Sequence, residues 1–484
     1  MFSGFFELLL VLFMLTDLFG CASVGPDYVR QELEVSGKWH TDLKNGLTAK
    51  KADTRTLAEW WNTFNDPVLS DLILCAVKGN LDLKEARARV REARANRGIS
   101  RSALFPVINS SGKATKTRSS GNSGSGTEGE LYALGFDAGW ELDVFGGVRR
   151  SIEVAEAELQ STDADLRNVI ISLLAEVALN YVDARSYQTR MVLTDSNIKT
   201  QEETYKLVQL RFQAGLSDDL ELQQAWYNLA NTRSQMPTLR TGFREANNRL
   251  AVLLGEQPGA VLKQLEVTKP IPVVPLEVAV SIPADALRHR PDVYQAERNL
   301  AAQTAKIGVA TAELYPKLSL AGSIGLDALS TGNLFSKGSR TYSIGPEVTW
   351  TIFDAGAIRR NIDIQSALQE QKLFQYESVI LTALEEVENA LVAFDQEQVS
   401  RESLKEAAQA AREAAHLSQV KFNAGLMGFS DVLETQRSLL SFEDQLAQSE
   451  NAVASDLIRL YKALGGGWTS NALGITKEDK KEPE

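Results

Sequence analysis

Two hydrophobic rhythms alternate along the chain. In YALGFDAGWEL, Tyr132, Leu134, Phe136, Ala138, Trp140 and Leu142 take every second place, with Ala133, Gly135, Asp137, Gly139 and Glu141 between them. A period of two is that of a strand with one apolar and one polar face. The rhythm returns with Leu318, Leu320, Ile324 and Leu326 against Lys317, Ser319, Ser323 and Asp327. It returns again with Tyr342, Ile344, Val348, Trp350 and Ile352 against Ser343, Glu347, Thr349 and Thr351. A further strand is expected from Phe105 to Thr117, where weak alternation leaves the register open. Elsewhere the spacing is three and four: Leu166, Val169 or Ile170, Leu173, Val177 and Tyr181, then Leu373, Tyr376, Ile380, Leu384, Val387, Leu391 and Phe394. That period predicts helices packed along a seam. No proline falls between Val148 and Phe212 or between Ala357 and Phe422. Each tract is expected to be one helix of roughly 65 residues, about 100 Å long. Pro237 lies in the helix returning from the first tract and is expected to bend or break it.

The rhythms are organised as two copies of one plan. LFP at 104–106 matches LYP at 314–316, Trp140 matches Trp350, RFQAG at 211–215 matches KFNAG at 421–425, and LLG at 253–255 matches ALG at 463–465. The offset is constant, 425 − 215 = 210 residues, and four matches in register predict an internal duplication. Each copy carries a helix, two strands, a long helix, a glycine interruption and a returning helix. Pro291 suits the first turn of the opening helix of copy two. Gly215 and Gly425 suit helix ends that need a left-handed residue, and Arg211 and Lys421 in the preceding turns complement the helix dipole.

The strands fit either a half-buried soluble sheet or a membrane barrel, which share the period of two. Tyr132, Trp140, Tyr342 and Trp350 near strand ends favour the barrel, since such rings partition to membrane interfaces. Four strands cannot close a barrel, and open edges are forbidden in a bilayer, so several chains must contribute. A dimer of eight strands or a trimer of twelve satisfies this, and only the wider barrel leaves a passage.

Composition narrows the function. The 484 residues are 44% hydrophobic, and the formal charge of −12 argues against a nucleic-acid partner. His40, His289 and His416 show no ligand spacing, so neither a metal nor a cofactor is expected, and no side-chain constellation supports an enzyme. GSGTEG at 124–129 matches G-x-G-x-x-G, but a strand follows it where a dinucleotide site needs a helix; it reads as a hairpin loop. Glu385, Glu386 and Glu388 read as a solvated or lumen-facing patch. The N-terminal FFELLLVLFMLTDLFGC is too short for a membrane span and reads as a secretory signal over 1–20. It resembles a bacterial lipobox with Cys21 as the acylated residue, and Ala22 after it suits an outer-membrane destination. It departs from that pattern in lacking Lys or Arg before the apolar run, in Glu7 and in Phe19.

From Cys21 to about Trp468 the chain resembles the TolC-like outer-membrane factors, specifically the NodT-type efflux lipoproteins. The resemblance rests on CASVGPDYV, on WWNTFNDPVLSDLI and above all on LRHRPDVYQAERNLAAQTAKIGVATAELYPKLSLAGSIG; Gln31 stands where the family often has proline. It implies a mixed fold of α-helix and transmembrane β-strand: a homotrimer forming a twelve-stranded outer-membrane barrel, four strands per chain, continued by a periplasmic α-helical barrel. It further implies a passive exit duct set in outer-membrane lipid, docked on a periplasmic adaptor and an inner-membrane pump of the resistance-nodulation-division type. By the same resemblance Arg211, Gly215, Lys421 and Gly425 would meet the adaptor, and Asp431 and Glu434 would form an acidic periplasmic gate; copy one has Glu221 and Gln224 there. The expected division is a signal peptide (1–20), an acylated segment and equatorial region (21–65), repeat one (66–270), repeat two (271–468) and a charged tail (469–484). A duct for type I protein secretion and a non-conducting envelope scaffold are the alternatives.

Overall fold

The computed structural model describes residues 23–30, 35–50, 53–272, 275 and 277–468. Cys21, the signal segment and the charged tail lie outside the described residues. The helices are α1 (Thr54–Ala58), α2 (Pro67–Gly79), α3 (Leu81–Ser102), α4 (Gly147–Gln213), α5 (Asp219–Leu253), α6 (Pro283–His289), α7 (Pro291–Ala312), α8 (Ala357–Asn423) and α9 (Phe429–Ala463). The strands are β1 (Leu47–Thr48), β2 (Val107–Arg118), β3 (Glu128–Leu142), β4 (Val278–Ala279), β5 (Lys317–Ala328) and β6 (Arg340–Thr349). Both proline-free tracts are single helices of 67 residues. Pro237 does not break α5, which continues as one 35-residue helix. Proline removes a single N–H donor, and the turns on either side keep theirs. Among the described residues no helix is long and apolar enough to cross a membrane.

The chain divides into two compact units, and neither follows the sequence repeats; each takes residues from both copies. The first comprises Met1–Glu32, Arg89–Asp163 and Gln295–Glu377. Its centre is an antiparallel sheet of order β2-β3-β5-β6. Register brings like residues into line across it. Tyr132, Leu134, Phe136 and Trp140 stand opposite Ala328, Leu326, Ile324 and Leu320. Ile324 and Leu318 in turn stand opposite Tyr342 and Val348. Because side chains alternate along a strand, these residues share one face. The other carries Asp137 opposite Ser323, Glu141 opposite Ser319, and Ser319 opposite Glu347. The pairing also sets the register of β2, which the sequence left open: Ile108 joins the apolar face opposite Ala138, and Asn109 the polar face opposite Asp137. Trp350 and Ile352 fall beyond the end of β6.

Helices leave the sheet at capped starts. The Asp143 carboxylate accepts the N–H groups of Val148 and Arg149 (both 2.9 Å) at the head of α4. Asp354 accepts those of Gly356 (2.8 Å) and Ile358 (2.7 Å) at the head of α8. The main-chain donors of Ile358 and then Gly356 hold the Asp354 carboxyl below its ordinary range.

The second unit comprises Leu33–Ala88, Ala164–Tyr294 and Ser378–Glu484. Between Ala164 and Ala184 the buried side chains of α4 are apolar, and Trp60 stacks on Tyr461 at 5.6 Å. Each repeat closes here with a matching clasp. Asn80 Nδ2 donates to the Leu253 carbonyl (2.9 Å) near the end of α5, and Arg290 Nη1 donates to the Ala463 carbonyl (2.9 Å) at the end of α9. The glycines after those helices, Gly255 (φ +75°) and Gly465 (φ +74°), sit against the Gly79 and His289 carbonyls, where a Cβ would clash at 2.3 and 2.8 Å.

Candidate functional site

Both long helices end in the same hydrogen-bonded turn. Leu216 N–H donates to the Arg211 carbonyl (2.8 Å) and Gly215 N–H to that of Phe212 (3.0 Å). Leu426 and Gly425 repeat this with Lys421 (2.9 Å) and Phe422 (3.0 Å). This is the Schellman pattern, which needs a left-handed residue after the helix. Gly215 (φ +72°) and Gly425 (φ +74°) supply it, with open space around both. The glycine interruptions are therefore the turns of two helical hairpins, α4–α5 and α8–α9.

The tips of the two hairpins share a core. Phe422 and Phe429, 2% and 1% exposed, pack with ring centroids 5.5 Å apart, among Val208, Ala225, Val432 and Leu433. Arg211 is half-buried with its guanidinium 4.8 Å above the Phe422 ring, so it joins the hairpins as well as facing the helix end. Lys421 is exposed. Asp431 and Glu434 are both exposed on the first turns of α9, three residues apart on one side of the helix. Asp431 lies in the first turn of α9, where the helix begins at Gly428 without a side-chain cap; a carboxylate there complements the exposed N–H groups. Copy one instead starts with Asp218, which accepts the Glu221 N–H (2.9 Å). A short step below, Arg437 donates to Asn228 Oδ1 and to the Tyr227 hydroxyl (both 2.9 Å), tying α9 to α5.

At the sheet, the two tryptophans make the same bond in each repeat: Trp140 Nε1–H to the Leu104 carbonyl (2.9 Å), Trp350 Nε1–H to the Leu314 carbonyl (3.1 Å). Tyr132 donates to Glu130 (3.2 Å), and Tyr342 is 85% exposed. The Tyr-to-Trp interval is 140 − 132 = 350 − 342 = 8 residues in each repeat. That is about 27 Å along a strand.

The sequence profile of the outer membrane efflux protein family matches the chain twice, over residues 72–256 and 282–466. The chain belongs to the outer membrane efflux protein family. Nodulation protein T of Rhizobium leguminosarum bv. trifolii is 33% identical over 456 residues, 93% of this chain and 95% of that protein. The pyoverdine export outer membrane protein OpmQ of Pseudomonas aeruginosa is 32% identical over 442 residues, 90% of this chain and 92% of that protein. The solved outer-membrane channel OprN superposes with a TM-score of 0.86 at 33% identity, over 92% of this chain and all of that one. The NodT-type, TolC-like resemblance read from the sequence is therefore correct, and the family is one of efflux rather than catalysis.

Within this outer membrane efflux protein, some residues have roles the sequence reading missed. Glu386 and Glu388 are not a free patch. Glu386 accepts from Arg290 Nη2 (2.6 Å), and Glu388 accepts the N–H groups of His40 (2.7 Å) and Thr41 (3.2 Å). Arg290, in sequence only one letter of the RPDV motif, is the clasp, buried and bidentate to Asp292 (3.0 and 2.6 Å). Burial disfavours its charge, but the hydrogen bonds it donates to Asp292 and Glu386 outweigh this and hold its pKa above the ordinary value. The signal lay in the repeat, where Arg290 occupies the position of the helix-capping Asn80.

Proposed function

We propose that this chain is the outer-membrane exit duct of a tripartite efflux system, conducting passively what an inner-membrane pump delivers through a periplasmic adaptor. The observation that carries this reading is the sheet, with one apolar face, one polar face and both edges open. In a bilayer those edges must be paired, which three copies achieve as a twelve-stranded barrel with Asp137, Glu141, Asp327 and Glu347 turned to the lumen. Residues 66–270 and 271–468 are then the duplicated halves, and Cys21 is the lipid anchor. Tyr132 and Tyr342 mark one membrane interface, Trp140 and Trp350 the other. With strands tilted about 40°, the 27 Å between them becomes about 20 Å along the normal, comparable to an apolar band of about 25 Å.

The glycine-turned tips, with Arg211, Gly215, Lys421 and Gly425, form the adaptor surface; exposed tips on a spanning assembly need a partner. Asp431 and Glu434 form rings of carboxylates at the tunnel mouth, favouring cations and resisting crowding. Single-channel recording in planar bilayers tests duct and gate together. Wild type is expected to show a small cation-selective conductance, and Asp431→Ala with Glu434→Ala a larger one. A folded trimer that conducts in neither form would overturn the duct reading, and equal conductance in both would remove the gate.

A further inference from the structure

The first described residues after the acylation position lie in a built slot. Arg150, 3% exposed, donates through Nε to the Val24 carbonyl (3.0 Å) and through Nη2 to the Gly25 carbonyl (3.2 Å) and Asp27 Oδ1 (2.7 Å). Val24 N–H donates to the Phe145 carbonyl (3.1 Å). Three glycines make the room: a Cβ on Gly25 would lie 2.4 Å from Gly308 Cα, one on Gly146 2.7 Å from Ser23, and one on Gly308 2.8 Å from Arg150. Tyr28 continues the contact onto Ala157, Ala301 and Ala302. The walls are α4, which follows β3, and α7, which precedes β5; those strands are neighbours.

The duplication supplies the same walls a second time. Gly356, Arg360 and Gly98 stand 210 residues from Gly146, Arg150 and Gly308: 356 − 146, 360 − 150 and 308 − 98. Gly356 keeps the positive φ (+90°), and Arg360 keeps the carboxylate three residues on, pairing Asp363 at 3.0 Å as Arg150 pairs Glu153 at 2.7 Å. Here, however, the walls stand open. A Cβ on Gly98 or Gly356 would meet nothing within 4 Å, and the Arg360 side chain is 83% exposed. The sheet order gives the reason. Gly356 and Arg360 follow β6, Gly98 precedes β2, and β6 and β2 are the two edges. These walls meet only where β6 of one chain pairs with β2 of the next.

We infer that each such junction forms a second slot that binds an extended acidic peptide of a partner protein. The inference rests on the closure proposed above. A chain carries one N-terminal strap, already seated between α4 and α7, but contributes walls for two slots. The occupant must present main-chain carbonyls and a carboxylate to Arg360, as Ser23–Asp27 do to Arg150, and a glycine against Gly98. Where Tyr28 packs on Ala301, the second slot has the exposed Arg91 (301 − 91 = 210), so its occupant carries a carboxylate there.

The test uses the full-length protein in detergent, its oligomeric mass measured first. A labelled peptide, residues 23–30 with Tyr28→Glu, is titrated by fluorescence anisotropy. The tethered strap holds its own slot at millimolar effective concentration, so micromolar peptide reports the second one. Saturable binding of one peptide per chain is expected, lost in Gly98→Leu and in Arg360→Glu, and at least tenfold weaker for the peptide that keeps Tyr28. Both substitutions fall at open positions, and an unchanged mass confirms that each variant assembles. A trimer that binds no peptide, or binds equally in both variants, overturns the slot while leaving the duct intact. A protein that is not a closed oligomer overturns the closure first.

Discussion

At the scale of single residues, the molecule depends on a few buried charges whose partners come from distant sequence. Arg290 fixes the end of α9 through the Ala463 carbonyl while holding Asp292 and Glu386. Arg290→Met should lower stability by about 1.5–3 kcal/mol, the worth of charge-assisted hydrogen bonds, read as an earlier thermal transition. Arg290→Lys should recover only part of it, because an ammonium cannot span the same fork; full recovery would mean that charge alone matters. Glu388 offers a pH test. Burial opposes its charge, but the Thr41 hydroxyl and the N–H groups of His40 and Thr41 prevail and depress its pKa. A depressed folded pKa contributes stability that is present above the unfolded value and lost as pH falls through the folded one. Hydrogen exchange at His40 and Thr41 should therefore be slower in wild type than in Glu388→Gln at neutral pH, and the two should converge in acid. A difference that stays constant with pH would count against the carboxylate as the holding group. Neither role was legible in sequence, since Glu388 is 348 residues from His40 and spacing says nothing about such a pair.

At the scale of elements, periodicity was a good guide. A period of two located β3, β5 and β6, and the long proline-free tracts became α4 and α8 within a residue or two of the expected ends. The weakly alternating β2 shows its register only in its antiparallel pairing with β3, because where a strand's own alternation is weak the connecting hairpin and the partner strand must fix it. Pro237 was misleading: a long helix with packed faces tolerates one lost donor. The two sheet faces make a sharp prediction. Ile324 and Ser323 are adjacent, on opposite faces. Ile324→Lys should cost about 2–4 kcal/mol in the membrane and reduce the heat-resistant assembled form, whereas Ser323→Lys should be tolerated and alter conductance. Equal effects of both would indicate a sheet that does not separate lipid from lumen.

At the scale of the whole molecule, the repeat and the two open sheet edges carry the proposed closure. The 210-residue offset recurs in tips, clasps, tryptophan bonds and the glycine–arginine walls, so the walls that meet between β3 and β5 have counterparts beside the two sheet edges. The conductance and peptide experiments therefore both test the proposed closure, in which β6 of one chain pairs with β2 of another.

The sequence by itself determined what is local, the strand faces, helix lengths and glycine turns, and it carried the family. The strand faces, helix lengths and glycine turns follow from dihedral preference and spacing along the chain, which neighbours in sequence carry alone; the family follows from the resemblance of its motifs. Only the tertiary structure decided that Arg150 grips the N-terminal strap, that Arg290 and Asn80 close their repeats, and that Arg211 stacks on Phe422. Those depend on which carbonyl, carboxylate or ring folding carries to within about 3–5 Å of a buried donor, where desolvation makes each partner count.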